Sequence, residues 1–315
     1  MKKISVAVVA GPTASGKTRL AVALCRALHG EVVSADSMQI YRGMQIATAK
    51  PTPAEMQGVP HHLIDFQPPQ QAFSVADYVQ LAGEAIQQIA AAGRLPVIAG
   101  GTGLYIRSLL QGISFEQPNA DPAVRADLQK YADEKGGQAL YERLKQIDPQ
   151  AAASIHPNNT KRVIRVLEIY QTTGKTLAEN EALSHGQASP YSACMLCLGF
   201  RDRAKLYERI NTRVDQMIDA GLVQEAEQAL RSGGATSLQA IGYKELLPYL
   251  QGRCTLPQAV ESVKRETRRY AKRQLTWFRR EKDARWLYVD DYPDFFALAQ
   301  QAENLIRNFL KGGSL

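Results

Sequence analysis

A chain of 315 residues has room for roughly two domains, and 45% apolar with 22% charged residues is ordinary globular composition, which sets aside disordered and fibrous classes. Its 38 Lys and Arg against 31 Asp and Glu leave a net charge of +7, a weak pointer to an anionic partner. The first predicted element, a strand at residues 6–10, follows two lysines, but its apolar run is too short for a secretory leader and a glycine-rich loop interrupts it. No other stretch approaches the roughly twenty apolar residues of a membrane span, so a cytoplasmic protein with no membrane association is expected.

Next comes a helix over Lys17–Leu28, with Leu20, Leu24 and Leu28 on one stripe. EVVSAD, 31–36, reads as a second strand, 75–92 as a long helix closed by Gly93, and LPVIAGG, 95–101, as a third strand. Nearly continuous apolar strands alternating with helices argue for a parallel sheet covered on both faces. FEQPNADP, 115–122, is turn-rich, and 121–182 reads as helices alone. YSACMLCLGF, 191–200, restores a strand, and helices follow to the C terminus. The expected architecture is α/β, a P-loop NTPase-like parallel-sheet core (1–114 and 189–315) with an inserted all-helical domain (115–188).

Cys25, Cys194, Cys197 and Cys254 are too few and too scattered for a disulfide framework. Cys194 and Cys197 form a C-x-x-C within a strand, where residues three apart face opposite sides, and no second pair completes a zinc site. Between Lys264 and Arg280 the chain carries eight basic residues, including Arg268, Lys272 and Arg273, against the single acid Glu266, with Tyr270, Trp277 and Phe278 among them. A solvated helix face normally alternates its charges, so this run reads as a polyanion-binding surface.

GPTASGKT, Gly11 to Thr18, fits G-x-x-x-x-G-K-[ST] between a strand and a helix. Such a loop wraps its N–H groups around phosphate, the helix adds its positive end, Lys17 neutralises terminal oxygens and Thr18 is placed to hold Mg²⁺. Thr13 and Ser15 contribute hydroxyls, and Pro12, Ala14 and Gly16 complete the cradle. The loop alone does not distinguish P–O cleavage of a nucleotide from C–O cleavage of a carbon diphosphate. LPVIAGGTGLY lacks the acid that ends the corresponding strand of a P-loop ATPase. The carboxylate lies instead after the second strand, as Asp36, and the carboxyl ends of parallel strands should gather Asp36, Thr102 and the loop in one crevice. There Asp36 could take a proton from an acceptor and Thr102 could bond a leaving oxygen.

GPTASGKT, SADSMQIYRGMQIATAKP, VPHHLID, VIAGGTGLYI, IHPNNTKRVIRVLEIY, QAIGYKE and AKRQLTWFR, in this order from about residue 5 to about 290, together resemble the bacterial tRNA dimethylallyltransferases. The resemblance implies transfer of a dimethylallyl group from dimethylallyl diphosphate to N6 of adenine-37 beside the tRNA anticodon, with Mg²⁺ as cofactor. Asp36 would be the general base, Thr102 would contact a diphosphate oxygen, and Arg213 would reach the diphosphate from LYERINTRVDQM, ahead of Arg209. The anticodon stem-loop would meet Asp36, Ser37, Met38 and Gln39, together with Arg125, Lys161, Arg162, Val163, Ile164 and Arg165. It would also meet Gln239, Ala240, Ile241, Gly242, Tyr243 and Lys244, and then Lys272, Arg273, Gln274, Trp277 and Arg279. A monomer is expected. His61 and His62 fit the pattern but read as structural, and Met44, Met56, Met195 and Met217 as packing. The rival readings are a P-loop kinase of a small metabolite, which needs no basic aromatic run, and an RNA-binding ATPase or binding module, which the missing acid disfavours.

Overall fold

The computed structural model describes residues 3–113, 121–184, 188–232, 234 and 237–312, and the chain divides into two compact units, 1–110 with 189–315, and 111–188. The first unit is built on a six-stranded parallel sheet of order β3-β2-β4-β1-β5-β6. Its strands are β1 (Ile4–Ala10), β2 (Gly30–Ser34), β3 (His61–His62), β4 (Leu95–Gly100), β5 (Tyr191–Gly199) and β6 (Ala284–Tyr288). The central strand β1 is wholly buried from Val6 to Ala10, and its alternate side chains enter opposite layers.

Val6, Val8 and Ala10 meet Ile86 and Ile89 of α3 (Val75–Ala91) and Ile106 of α4 (Gly103–Leu110). Ala7 and Val9 meet Leu20 and Leu24 of α1 (Lys17–Leu28) and Ile306 of α14 (Phe295–Leu310). Cys194 and Cys197 fall in these two different layers, as a spacing of three along a strand requires. Short α2 (Pro53–Met56) lies in the loop before β3. Between β5 and β6 run α10 (Arg203–Asp219), α11 (Leu222–Ser232), α12 (Tyr243–Leu250) and the long α13 (Leu256–Phe278), which close a further core over Ile40, Tyr41 and Met44.

The second unit holds α5 (Pro122–Lys135), α6 (Gly137–Ile147), α7 (Pro149–Ser154), α8 (Thr160–Thr173) and α9 (Leu177–Ser184), packed around Leu140, Leu144, Val163 and Leu167. Asp121 caps α5 by accepting the N–H groups of Ala123 and Val124, which stops the turn-rich segment there. The turn expected over 115–120 lies outside the described residues. Two strands escape the sequence pattern. His61–His62 is two residues long, and Ala284–Tyr288 is half-buried at the sheet edge, where ARWLY carries no apolar run.

Candidate functional site

The parallel sheet brings the carboxyl ends of β1, β2 and β4 to one rim. After β1 the chain turns through Gly11 at φ 138° and Gly16 at φ 94°, a region that side chains resist, and a Cβ at Gly11 would stand 2.6 Å from the carbonyl oxygen of Leu198 on β5. α1 then starts at Lys17 with no side-chain cap, which leaves its first N–H groups open to an anion. Ser15 Oγ is buried without a hydrogen-bond partner among the described residues, as a donor aimed at a ligand oxygen would be. Lys17 Nζ donates to Pro12 O at 2.7 Å. Burial, and then the neighbouring Arg213 cation, push the Lys17 ammonium down to about 8.

Asp36 follows β2 and opens a tight turn, its Oδ1 accepting the N–H groups of Met38 at 2.9 Å and Gln39 at 3.3 Å. The turn role and a chemical role do not compete, because Oδ2 has no hydrogen-bond partner among the described residues. Thr102 follows β4. Its Oγ1 accepts Ser37 N–H at 3.1 Å, so the β2 and β4 ends are tied side by side. The Gln39 amide donates to Thr48 O and Ala49 O, and Glu225 of α11 accepts the N–H groups of Gln45, Ile46 and Ala47 at 2.8 Å each. Loop 45–49 is thereby fixed as one wall of the site.

α13 supplies the opposite wall through a stripe that interrupts its basic residues every three or four positions: Val263, Thr267, Tyr270 and Gln274. Gln274 is buried, takes Thr13 N–H on Oε1 at 2.9 Å and donates Nε2 to Gly101 O at 3.0 Å. The Tyr270 phenol lines the cavity, and burial, then the Asp36 charge, raise it. Arg213 projects from α10 into the same space, its guanidinium lowered first by burial, while Arg209 donates to Ala14 O at 2.9 Å and does not line the cavity. The result is a cavity of about 280 Å³. Thr13, Lys17, Thr18, Asp36 and Arg213 give its polar side, and Ala47, Ile210, Val214, Met217 and Val263 its apolar side.

Among the described residues no group of three or more His, Cys, Asp or Glu is disposed to hold a metal. Thr18 nevertheless lines the cavity beside Lys17, and one hydroxyl suits Mg²⁺, which takes one or two protein oxygens and completes its shell with phosphate oxygens and water. No described helix is long and apolar enough to cross a membrane.

Several side chains expected from the resemblance to touch RNA are turned inward. Gln274 is 5% exposed and both ends of its amide are taken; Trp277 packs on the sheet core with Arg107 stacked over its ring. Tyr243 is fully buried and donates its phenol to Glu225, and Ala240 is 3% exposed, although it borders the cavity. Gly242 is buried and caps α12, while Ile241 lines the cavity and Gln239 and Lys244 are exposed at its edge. In the helical unit Val163 and Ile164 belong to the core, so their side chains hold α8 in place. Arg125 and Arg165 converge on the buried Glu168 at 2.8 and 2.9 Å, whereas Lys161 and Arg162 are exposed.

The basic run also divides. Lys264 pairs with Asp215, Arg268 with Glu261 and Arg269 with Glu266, acids that mostly come from outside the run. Lys272, Arg273, Arg279 and Arg280 are exposed and make no ion pair among the described residues. Sequence reasoning missed Tyr270, Thr267, Ile210, Val214 and Glu225. The neutral stripe within the basic run was the available signal for the α13 residues; nothing local marks the others.

The IPP transferase family model matches residues 39–281, beginning beyond the phosphate loop. The tRNA dimethylallyltransferase of a Thermoanaerobacter species is 46% identical over 312 residues, 98% of this chain and 97% of the relative. That of Halalkalibacterium halodurans is 48% identical over 313 residues, 99% of each. Among solved structures, the full-length tRNA isopentenylpyrophosphate transferase of Bacillus halodurans is similar at TM-score 0.73 and 47% identity, over 99% of this chain and 98% of that one. A eukaryotic dimethylallyltransferase acting on tRNA is similar at TM-score 0.84 and 28% identity, over 99% of this chain and 81% of that one.

Proposed function

The chain belongs to the IPP transferase family, and from that premise we propose how its residues carry out the transfer of a dimethylallyl group to adenine-37 of tRNA. The observation that supports the assignment of roles is the single cavity in which an anion cradle, a carboxylate and an apolar wall adjoin. The diphosphate of dimethylallyl diphosphate lies on residues 11–18, with Lys17 and Arg213 as counter-charges. The five-carbon group rests against Ile210, Val214, Met217 and Val263, which form part of the apolar side of the cavity.

In the reaction the donor C–O bond breaks, a bond forms from carbon to N6 of the adenine, and the N6 proton passes to Asp36. An exocyclic adenine amine is a weak nucleophile because its lone pair is delocalised into the ring, so the base is needed during attack. The turn that holds Asp36 Oδ1 leaves Oδ2 to receive the proton. Charge growing on the leaving diphosphate is met by loop N–H groups, Lys17 and Arg213, and the Thr102 hydroxyl donates to a diphosphate oxygen. Thr18 would hold Mg²⁺, which would supply further neutralisation of that charge.

The adenine must leave its stack to reach this cavity, with a few kcal/mol of unstacking, roughly, offset by contacts to the loop. In this proposal Ser37, Met38, Gln239 and Lys244 meet the extruded base and its neighbours. Lys272, Arg273 and Arg279 hold phosphates, and Lys161, Arg162, Arg125 and Arg165 do so from the helical unit at 111–188. The protein acts as a monomer in the cytoplasm.

The test is a product assay with Mg²⁺, dimethylallyl diphosphate and an unmodified anticodon stem-loop, read by nucleoside mass spectrometry, with a parallel reaction containing ATP. The expected result is one dimethylallyl group gained on adenosine, dependent on the diphosphate and indifferent to ATP. ADP formation without prenylated adenosine would overturn the reading in favour of a kinase or ATPase.

A further inference from the structure

Thr102 is bracketed by two glycines that lie against one face of α13. A Cβ at Gly101 would collide with the Gln274 amide, and one at Gly103 with the Trp277 ring, so helix and loop touch backbone to side chain on both sides of the threonine. Beyond the pairing of Ala10 with Gly100 where the two strands end, Gln274 bridges this loop to the phosphate loop, accepting from Thr13 and donating to Gly101. Its two partners make opposite demands. Thr13 N–H requires an acceptor and Gly101 O a donor, which a neutral amide meets and a carboxylate, an ammonium or a thioether does not.

We propose that Gln274 is a positioning residue that sets the separation of the diphosphate cradle from Thr102, and so the alignment of the donor's leaving oxygen. The inference rests on the transfer reaction proposed above. A misplacement of about 1 Å at a reacting centre costs up to about 100-fold in rate, and an amide held at both ends prevents that drift. The role concerns the turnover step, not RNA affinity, because the side chain faces away from the exposed bases of α13.

Gln274→Met removes both hydrogen bonds. Gln274→Glu keeps the shape and the acceptor but places a carboxylate oxygen against Gly101 O. A buried carboxyl in that setting gains a proton readily, and the protonated form donates to Gly101 as the amide did. Single-turnover rates, KM for dimethylallyl diphosphate and Kd for the stem-loop are measured from pH 6 to 8.5, with melting temperatures to confirm folding. The expected result is a turnover rate about 30-fold below wild type for both variants at pH 8, a Kd for RNA within about twofold, and a Gln274→Glu deficit that narrows toward pH 6.

A folded Gln274→Glu with wild-type turnover at pH 8, or with a deficit of equal size at every pH, would overturn the proposal. So would an RNA Kd at least about tenfold weaker with turnover at saturation unchanged, which makes Gln274 an RNA contact. Should Gln274→Met fail to fold, the glutamate variant carries the test. A wild-type control without product would sink the transfer reading itself, whereas an active control beside an unaffected variant sinks only the role of Gln274.

Discussion

The phosphate loop and the inner stripe of α13 line the same cavity and are made in opposite ways. The loop is eight consecutive residues whose own backbone forms the binding surface. The stripe is a set of side chains three or four apart, and its partners lie at Thr13 and Gly101, 261 and 173 residues away in sequence. A backbone-built site is insensitive to most side-chain changes but intolerant of altered φ. A side-chain-built site has the reverse sensitivities, and four variants, one of them double, and one pH series expose the contrast.

The largest effect is expected outside both, at the carboxylate they serve. Asp36→Asn should lower the single-turnover rate by about 10²- to 10⁴-fold and leave stem-loop affinity nearly unchanged, since its Oδ1 still accepts the Met38 and Gln39 N–H groups and only the proton acceptor is lost. Gly11→Ala comes next. It forces a Cβ onto the Leu198 carbonyl in a left-handed backbone position, and thermal melts should show a loss of about 2–4 kcal/mol together with a raised KM for the donor.

A pH series then separates cation from backbone within the cradle. Lys17 titrates at about 8 in the free protein, because burial and Arg213 disfavour its charged form. As pH rises through that value the free enzyme loses the cation, so KM for the donor should climb by up to about tenfold per pH unit. Turnover of the saturated complex should hold to higher pH, because bound diphosphate keeps the lysine protonated.

On the outer face of α13, Lys272→Ala with Arg279→Ala should reduce the slope of log Kd for tRNA against log salt by about 1.5 to 2, since each removes one unpaired cation. Arg268→Ala should do least, because its charge is already met by Glu261. Roughly 0.2–1 kcal/mol in a melt and a nearly unchanged salt slope are expected from that exposed pair. A fall in salt slope equal to that of Lys272 would erase the distinction between the two halves of the helix.

The same contrast explains what the sequence disclosed. The strands β1, β2, β4 and β5 and the first long helices are legible because burial on both faces writes an apolar run, and the phosphate loop because its motif is contiguous. Asp36 and Thr102 follow from one topological rule about strand ends. β6 was hidden because an edge strand needs little apolar content, and β3 because two residues make no pattern. The burial of Gln274, Tyr243, Val163 and Ile164 was illegible for another reason. Each sits inside a segment that also carries an exposed basic residue, and helical period alone does not say which face meets the core.

The basic run misled in part. Its acids were sought within the run, yet Asp215 pairs with Lys264 across 49 residues. Glu225 left no trace at all, since its partners are three backbone amides about 180 residues upstream.

That clasp, together with the parallel pairing of Ile4 with Tyr191, bears on how the chain is made. The phosphate motif is complete before any of the elements that enclose it has been made. Yet the central strand waits for β5 to gain its second neighbour, loop 45–49 waits for α11, and Thr13 waits for α13. A nascent chain therefore carries an anion cradle, without the wall or the base alignment that give it a use, until α13 is made. The cradle gains its Gln274 partner only when a segment 261 residues after Thr13 has been made.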